Sequence, residues 1–311
     1  MTLRELGFYV RARINDGLRV ALQRDGRMPP TPVAPLEDVL AGPDTPLALS
    51  RLLVGRPNVE RQAAVASYLT RHNVPFDRHR FSTFEGEGEN FIVDVGSGDR
   101  VVVLIAHHDA VPGSPGANDN AAAVGILLHL LGRLVRTPPA GIKVRFLFPA
   151  AEELGYLGAR AYVGATSLAG IVGVLSLELC GRGDTLVVWD DEGETDFLRR
   201  IGVAFERIGL SRNESYHIVG RIPIFGSDHR AFGAAGAPAY GVTTVLARDA
   251  EALRHFVLSG HAGVLRNLAQ RPVPFDTYHS SRDAYATLEA AACDAVVTGL
   301  EAIIAEMART A

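Results

Sequence analysis

The sequence predicts a three-layer α/β/α sandwich whose central sheet is mixed and mostly parallel. Apolar segments of strand length recur along the chain, and stretches with helical periodicity separate them. Strands that are joined by helices lie parallel in one sheet, and the helices then cover both of its faces. The length of 311 residues, 47% of them hydrophobic, is sufficient to bury a large core.

The N-terminal segment differs from the rest of the chain. Residues 3–23 mix apolar residues with arginines, which predicts an amphipathic helix. The proline-rich stretch RMPPTPVAPLEDVLAGPDTP follows and predicts a break in regular structure. We therefore expect residues 1–45 to be a helical extension with a linker, and residues 46–311 to form a single domain.

The first half of that domain predicts two helices around a pair of strands. RPNVERQAAVASYLTRHNV has its apolar residues at helical spacing, and GENFIVDVG and RVVVLIA are typical of strands. The next helix has the clearest pattern in the chain, and Asp119 or Asn120 is placed to cap its start. Its apolar stripe consists of Val124, Leu127, Leu128, Leu131 and Val135.

The second half continues the alternation of strands and helices. IKVRFLF alternates apolar and charged residues, as a strand with one buried face does. IVGVLSLEL and PAYGVTTV predict further buried strands, and Asp283 to Ala308 predicts a closing helix.

Composition argues against several classes of function and location. The formal net charge of −4 comes without a basic stripe, so we expect no nucleic-acid partner. Charged residues interrupt the first twenty positions, which leaves no apolar core for a signal peptide. The longest uncharged runs contain glycines and are typical of buried strands and turns rather than membrane spans. Cys180 and Cys293 belong to no CxxC pattern, so we predict no disulfide framework and a soluble, cytoplasmic protein.

Residue types that bind metals follow several of the predicted strands. VVVLIA is followed by His107, His108 and Asp109, and VRFLFPAA is followed by Glu152 and Glu153. Binding sites in open α/β sheets form beyond the carboxyl ends of the strands. Histidine and carboxylate together suit zinc. The same pattern continues with Asp119, Glu178 and His279.

Four motifs in this order resemble a known family. They are AHHDAVPGSPGANDNAAAVG, PAAEELGYLGARAYV, SDHRAFGAAGAPAYG and YHSSRDAYATL, and the likeness covers roughly residues 48 to 308. The sequence resembles the co-catalytic zinc aminopeptidases, a metallopeptidase family that also contains glutamate carboxypeptidase and the glutaminyl cyclases. This resemblance implies the fold of the zinc aminopeptidases and a peptide or aminoacyl substrate.

The resemblance also implies the roles of individual residues. Two zinc ions would be bridged by Asp119, with Glu152 as the general base. One ion would also bind His107 and Glu178, and the other would also bind Glu153 and His279. The aminopeptidases of this family usually have aspartate where this chain has Glu178, so a single zinc ion is the alternative.

Two further positions are candidate substrate contacts. In the family, the residue that matches Asp228 lies beside the active site, and Tyr278 directly precedes the proposed ligand His279. Each has an alternative explanation, because Ser227 or Asp228 could cap a helix and Tyr278 could be a packing residue.

The paired histidines are separated by the alternation of side chains in an extended segment. His107 and Asp109 then share one side, and His108 faces the other. Asp109 can accept a hydrogen bond from the His107 ring and fix its tautomer, as is common at zinc sites. We therefore expect His107 to be the ligand and His108 to pack elsewhere.

These expectations favour a zinc-dependent aminopeptidase that hydrolyses the N-terminal peptide bond. One alternative is a glutaminyl cyclase with one zinc, in which Glu178 and Asp228 would form a carboxylate network. A second is a non-catalytic metal-binding protein. The segment WDDEGETD is expected to shape the substrate pocket, and residues 245–275 are expected to cover it as a lid.

Overall fold

The computed structural model describes residue 10 and residues 32–190, 193–222, 225–250 and 275–309. The predicted helix over residues 3–23 lies outside the described residues apart from Val10. Residues 251–274 of the predicted lid lie outside them, and so does part of WDDEGETD.

The described chain alternates strands and helices. The helices are α1 (Leu36–Leu40), α2 (Pro46–Ser50), α3 (Asn58–Arg71), α4 (Ala122–Arg136), α5 (Leu157–Ala165), α6 (Asp196–Arg207), α7 (His229–Ala234) and α8 (Ala290–Arg309). The strands are β1 (Asp77–Ser82), β2 (Glu87–Gly96), β3 (Val101–Ile105), β4 (Lys143–Phe148), β5 (Ile171–Leu177), β6 (Thr185–Trp189), β7 (Tyr216–Ile218) and β8 (Ala239–Val245).

The strands form one mixed sheet in the order β1-β2-β4-β3-β5-β8-β6-β7. The central strands β4, β3, β5 and β8 are parallel, and β6 is parallel to β7. Strands β1 and β2, β2 and β4, and β6 and β8 pair antiparallel. This arrangement confirms the mixed, mostly parallel sheet that the sequence predicts.

The core lies on both faces of the sheet, as the alternation of side chains along β3 shows. Val102 belongs to a buried cluster that includes residues of α3, α4, α6 and α8. The next residue, Val103, belongs to a second cluster with Ala159 of α5 and Phe232 of α7. Two helical layers therefore enclose the sheet, which confirms the three-layer architecture.

Several predicted details are wrong. Strands β1, β6 and β7 were not predicted, since β1 is a polar and largely exposed edge strand and β7 has only three residues. The closing helix α8 begins at Ala290 rather than Asp283, because residue 283 lies in the segment before it and bonds the loop before α4. Neither Asp119 nor Asn120 caps α4, whose N-cap residue is Ala121.

Part of the proline-rich stretch folds onto the domain. Helix α1 lies within that stretch, and its Val39 and Leu40 are buried in the same cluster as residues of α3 and α4.

Cys180 and Cys293 are buried free thiols. Within the described residues, no helix combines the length and apolarity that crossing a membrane requires.

Candidate metal centre

The residues singled out by the sequence lie at the carboxyl ends of three neighbouring parallel strands. His107 follows β3 by two residues, Glu152 follows β4, and Glu178 directly follows β5. Because these strands run in the same direction, their ends meet at one edge of the sheet.

The structure brings five of these side chains into two groups that share one aspartate. His107, Asp119 and Glu178 form the first group, and Asp119, Glu153 and His279 form the second. In each group the possible ligand atoms all lie within 4.8 Å of one another. Both groups therefore have the size and composition of a site for a cation.

Asp119 directs one carboxylate oxygen toward each group. Its Oδ1 lies 3.3 Å from Nε2 of His107, and its Oδ2 lies 3.2 Å from Nε2 of His279. On the two outer sides, Oε1 of Glu178 lies 3.3 Å from Nε2 of His107, and Oε2 of Glu153 lies 2.9 Å from Nε2 of His279. This geometry suits a carboxylate that bridges two cations.

The loop around Asp119 is held by its neighbouring asparagines. Asn118 accepts a hydrogen bond from the backbone N–H of Gly181 at 2.7 Å, and Asn120 donates to the carbonyl of Leu177 at 2.8 Å. Both contacts reach the end of β5, which explains why Asn120 does not cap α4. The asparagines therefore fix Asp119 beside Glu178.

Asp109 connects the first histidine to the glutamate turn. Its Oδ1 lies 3.4 Å from Nδ1 of His107, and that ring nitrogen also lies 3.2 Å from the backbone carbonyl of Asp109. The carboxylate accepts hydrogen bonds from the backbone N–H groups of Glu152 at 3.1 Å and Glu153 at 3.2 Å. A single side chain thus orients an imidazole and anchors both glutamates.

His108 lies away from both groups. Its Nε2 is 3.1 Å from the backbone carbonyl of Glu89, and its ring packs against Phe91. Burial lowers the pKa of His108 to about 4. The two adjacent histidines therefore face different surroundings, as the alternation along an extended chain predicts.

Glu152 and Glu153 diverge for a different reason from the one that the sequence suggests. They lie in a single 3₁₀ turn, Glu152–Leu154, and not on an extended strand end. Ala151 adopts a left-handed conformation with φ of 57° and so reverses the chain immediately before this turn. The Glu153 carboxylate meets His279, whereas the Glu152 carboxylate accepts no hydrogen bond from the described residues.

The protonation of the centre is governed by burial and by close charges. Burial raises the pKa of Glu178 to about 7, and the charge of His107 only partly opposes this shift. Burial would lower the pKa of His279, but the charges of Glu153 and Asp119 and their hydrogen bonds reverse this effect and raise it to about 10. At neutral pH His279 is protonated and Glu178 is protonated in part, and a metal cation would displace these protons.

Oxygen atoms that lack hydrogen-bond partners within the described residues of the two groups also fit a bound cation. Oδ1 of Asp119 and Oε1 of Glu153 are buried and accept no hydrogen bond within the described part of the chain. Buried carboxylate oxygens are costly unless they are paired or bind a metal. Zinc accepts imidazole nitrogens and carboxylate oxygens as ligands, in sets of three or four.

Asp228 lies at the first position before α7 but does not cap it. The side chain makes no cap hydrogen bond, it is fully buried, and both its oxygens lack a hydrogen-bond partner among the described residues. Burial raises its pKa well above the ordinary value, with His107 opposing and Asp109 and Glu178 adding to the shift. The explanation of this position as a helix cap is therefore wrong.

Tyr278 packs directly against a residue of the second group. Its ring stacks on that of His279 with centroids 3.7 Å apart and an angle of 22°. The Tyr278 ring also meets that of Phe225, edge to face at 5.5 Å. The Tyr278 ring thus packs against the metal centre. Its contact with substrate stays a prediction.

Ser227 contacts the centre but was missed as a site residue. Its hydroxyl donates to Oε2 of Glu178 at 2.7 Å and lies 2.9 Å from the hydroxyl of Ser176. This bond leaves Oε1 of Glu178 to face His107. The only signal in the sequence was the position of Ser227 beside Asp228 in the SDHRAF motif.

Comparison with known proteins agrees with the four motifs. The model of peptidase family M28 matches residues 90–304. Aminopeptidase YwaD of Bacillus subtilis is 43% identical over 63 residues, which cover 20% of this chain and 14% of that protein. The probable lipoprotein aminopeptidase LpqL of Mycobacterium tuberculosis is 30% identical over 169 residues, which cover 47% of this chain and 32% of that protein. The chain thus spans less than a third of the length of either relative.

Solved structures share the fold at low sequence identity. BSAP, a zinc aminopeptidase from Bacillus subtilis, matches with a TM-score of 0.56 and 22% identity, over 71% of this chain and 50% of that one. An Acidobacteriales bacterium glutaminyl cyclase matches with a TM-score of 0.63 and 17% identity, over 93% of this chain and 100% of that one. The family model covers more than half of the 311 residues and includes every residue of the two groups. The chain therefore belongs to peptidase family M28.

Proposed function

We propose that this chain is a zinc-dependent aminopeptidase that hydrolyses the N-terminal bond of peptide or aminoacyl substrates. The observation that carries the proposal is the pair of His/Asp/Glu groups that share Asp119. Glu152 directly precedes Glu153 in one turn, and its carboxylate interacts electrostatically with His107 and Glu178. Membership of a peptidase family and the names of the curated relatives support the same reaction.

Zinc would be held at the two groups. One ion would take His107, Asp119 and Glu178 as ligands, and the other would take Asp119, Glu153 and His279. Bound zinc polarises a scissile carbonyl and lowers the pKa of a bound water. The Ser227 bond that directs Oε1 of Glu178 into the first group supports two ions despite the glutamate at this position.

Glu152 is the proposed general base. Its carboxylate takes a proton from the attacking water as the new C–O bond forms, and delivers that proton to the amine nitrogen as the C–N bond breaks. Burial raises the pKa of Glu152 well above its ordinary value, and the charge of His107 opposes this shift only in part. A carboxylate with a raised pKa is a stronger base, which suits both proton transfers.

Activity against a panel of aminoacyl reporters, with zinc per chain counted in parallel, tests the proposal. We expect release of the N-terminal residue, loss of turnover after dialysis against a chelator, and recovery with added zinc. Failure to cleave any reporter at full zinc occupancy would contradict the aminopeptidase activity.

A glutaminyl cyclase with one zinc is the second candidate. It is favoured by the buried Asp228, whose oxygens lack hydrogen-bond partners among the described residues and whose pKa the charge of Glu178 helps to raise. Against it, Oε2 of Glu178 is bonded to Ser227 rather than to Asp228. Mass analysis of peptides that begin with glutamine separates the two, since a cyclase releases ammonia and a peptidase releases a whole residue.

Two predictions about the rest of the chain accompany this function. We propose that residues 46–311 form a single catalytic domain onto which α1 packs, that residues 1–31 are an appendage to it, and that the protein is cytoplasmic. Cell fractionation tests this location. Removal of residues 1–31 with unchanged kinetics would support the appendage.

A further inference from the structure

Arg61 of α3 is a buried cation that contacts the loop between two proposed ligands. Its side chain is fully buried, and its guanidinium donates to three backbone carbonyls of one loop. The acceptors are the carbonyls of His108 at 2.7 Å, Pro115 at 3.3 Å and Gly116 at 3.0 Å. This loop begins beside His107 and ends three residues before Asp119.

No carboxylate among the described residues forms an ion pair with Arg61. Burial lowers its pKa to about 10, and the charges of Asp109, Asp119 and Asp283 oppose that shift. A cation with this pKa stays charged at neutral pH. The charge of Arg61 therefore acts on the carboxylates of the centre across the loop, without direct contact.

Asp283 holds the same loop from the other side. Its Oδ1 accepts the backbone N–H of Asn118 at 2.7 Å, and its Oδ2 accepts the backbone N–H of Asp119 at 3.1 Å. Asp283 is fully buried and lies four residues after His279. It thus ties the segment of one proposed ligand to the backbone of the shared aspartate.

Gly116 shows how closely the guanidinium fits the loop. A Cβ atom at this position would overlap Nη1 of Arg61 and would lie 2.9 Å from the carbonyl oxygen of Asp119. The glycine also adopts a left-handed conformation with φ of 63°. Arg61 therefore packs directly on the turn that leads into Asp119.

We propose that Arg61 and Asp283 are positioning residues that hold the backbone on both sides of Asp119, so that each of its carboxylate oxygens faces one metal. The proposal rests on the metal centre of the proposed function and does not depend on its substrate. The planar guanidinium of Arg61 carries several N–H donors in a fixed arrangement. One side chain can therefore bind three carbonyls that lie in different directions. Lysine would keep the charge and lose two of the three contacts.

Two variants test positioning, with a third as the control. Arg61→Lys keeps the charge, and Asp283→Asn keeps the volume but replaces one acceptor oxygen with a donor. Arg56→Lys is the control, because the Arg56 side chain also donates to backbone carbonyls, those of Leu52 and Ala34, and none of its hydrogen bonds among the described residues reaches this loop. The probe is cobalt(II), whose absorption spectrum reports the geometry of its ligands.

We expect Arg61→Lys and Asp283→Asn to weaken cobalt binding by roughly 10–100-fold in competition with a chelator, and to change the cobalt spectrum. Arg56→Lys should bind as the wild type does. Wild-type affinity and an unchanged spectrum in both loop variants would overturn the proposal. If Arg61→Lys does not fold by circular dichroism, Asp283→Asn decides the outcome. A wild-type protein that binds no cobalt would instead contradict the proposed function.

Discussion

At the scale of single residues, neighbouring side chains have opposite roles in this centre. The His107 ring meets Asp119 and Glu178, whereas the His108 ring lies against the backbone carbonyl of Glu89 and the ring of Phe91. Side-chain alternation was enough to predict this difference. It was not enough for Glu152 and Glu153, because the left-handed Ala151 converts the strand end into a 3₁₀ turn.

The two histidines should respond differently to truncation. His107→Ala removes a ligand of the first group, so we expect loss of at least one zinc ion per chain. His108→Ala removes no ligand and should keep its zinc. Elemental analysis of gently purified variants measures both. Equal zinc content in the two variants would contradict the assignment of His107 as the ligand.

The second group predicts a pH dependence of zinc binding. In the metal-free protein His279 has a pKa raised to about 10, so its ring is protonated at pH 7. Ligation needs the neutral ring, and zinc binding must therefore release a proton. The apparent affinity for zinc should rise between about pH 6 and about pH 8 and should fall on acidification.

Calorimetry in two buffers of different ionisation enthalpy measures this release. We expect the observed heat of zinc binding to differ between the buffers by an amount that corresponds to at least one proton. His279→Ala should release fewer protons. Identical heats in both buffers would show that His279 holds no proton to lose.

At the scale of elements, packing of α2 against α4 supports the loop that carries Asp119. Gly125 of α4 lies against the backbone of α2, where a Cβ atom would overlap the carbonyl oxygen of Pro46 and lie 2.8 Å from the nitrogen of Ser50. The apolar stripe of α4 was predictable from its period, but this close approach was not. A glycine within a helix gives no indication of which backbone lies next to it.

Gly125→Ala should therefore destabilise the protein by about 1–3 kcal/mol through overpacking. Gly132, in the same helix, is the matched control. A Cβ atom there would make only ordinary contacts, the nearest at 3.5 Å to Asp44. Gly132→Ala should leave stability unchanged or raise it by up to about 1 kcal/mol. Thermal denaturation of the two variants measures the contrast, and equal shifts would contradict the close packing of α2 and α4.

At the scale of the whole molecule, the centre joins segments that lie far apart in sequence. The alternation of strands and helices predicted a mixed, mostly parallel sheet, although β1, β6 and β7 were missed. The strand ends gave eight candidate side chains, and the family resemblance singled out the five of the two groups. Arg61, Ser227 and Asp283 escaped prediction as site residues, because each acts through contacts that only the folded chain creates. Buried polar residues that hold a loop leave no periodic pattern in a sequence.

The central claim is that Glu152 transfers protons in a reaction that the two metal groups support. Replacement of this residue by glutamine keeps the shape of the side chain and removes its basicity. The most direct measurement is kcat of Glu152→Gln on an aminoacyl reporter, with zinc per chain counted on the same sample. We predict that kcat falls by roughly 10²–10⁴-fold while the zinc content matches that of the wild type. Unchanged kcat in the zinc-loaded variant would contradict the claim.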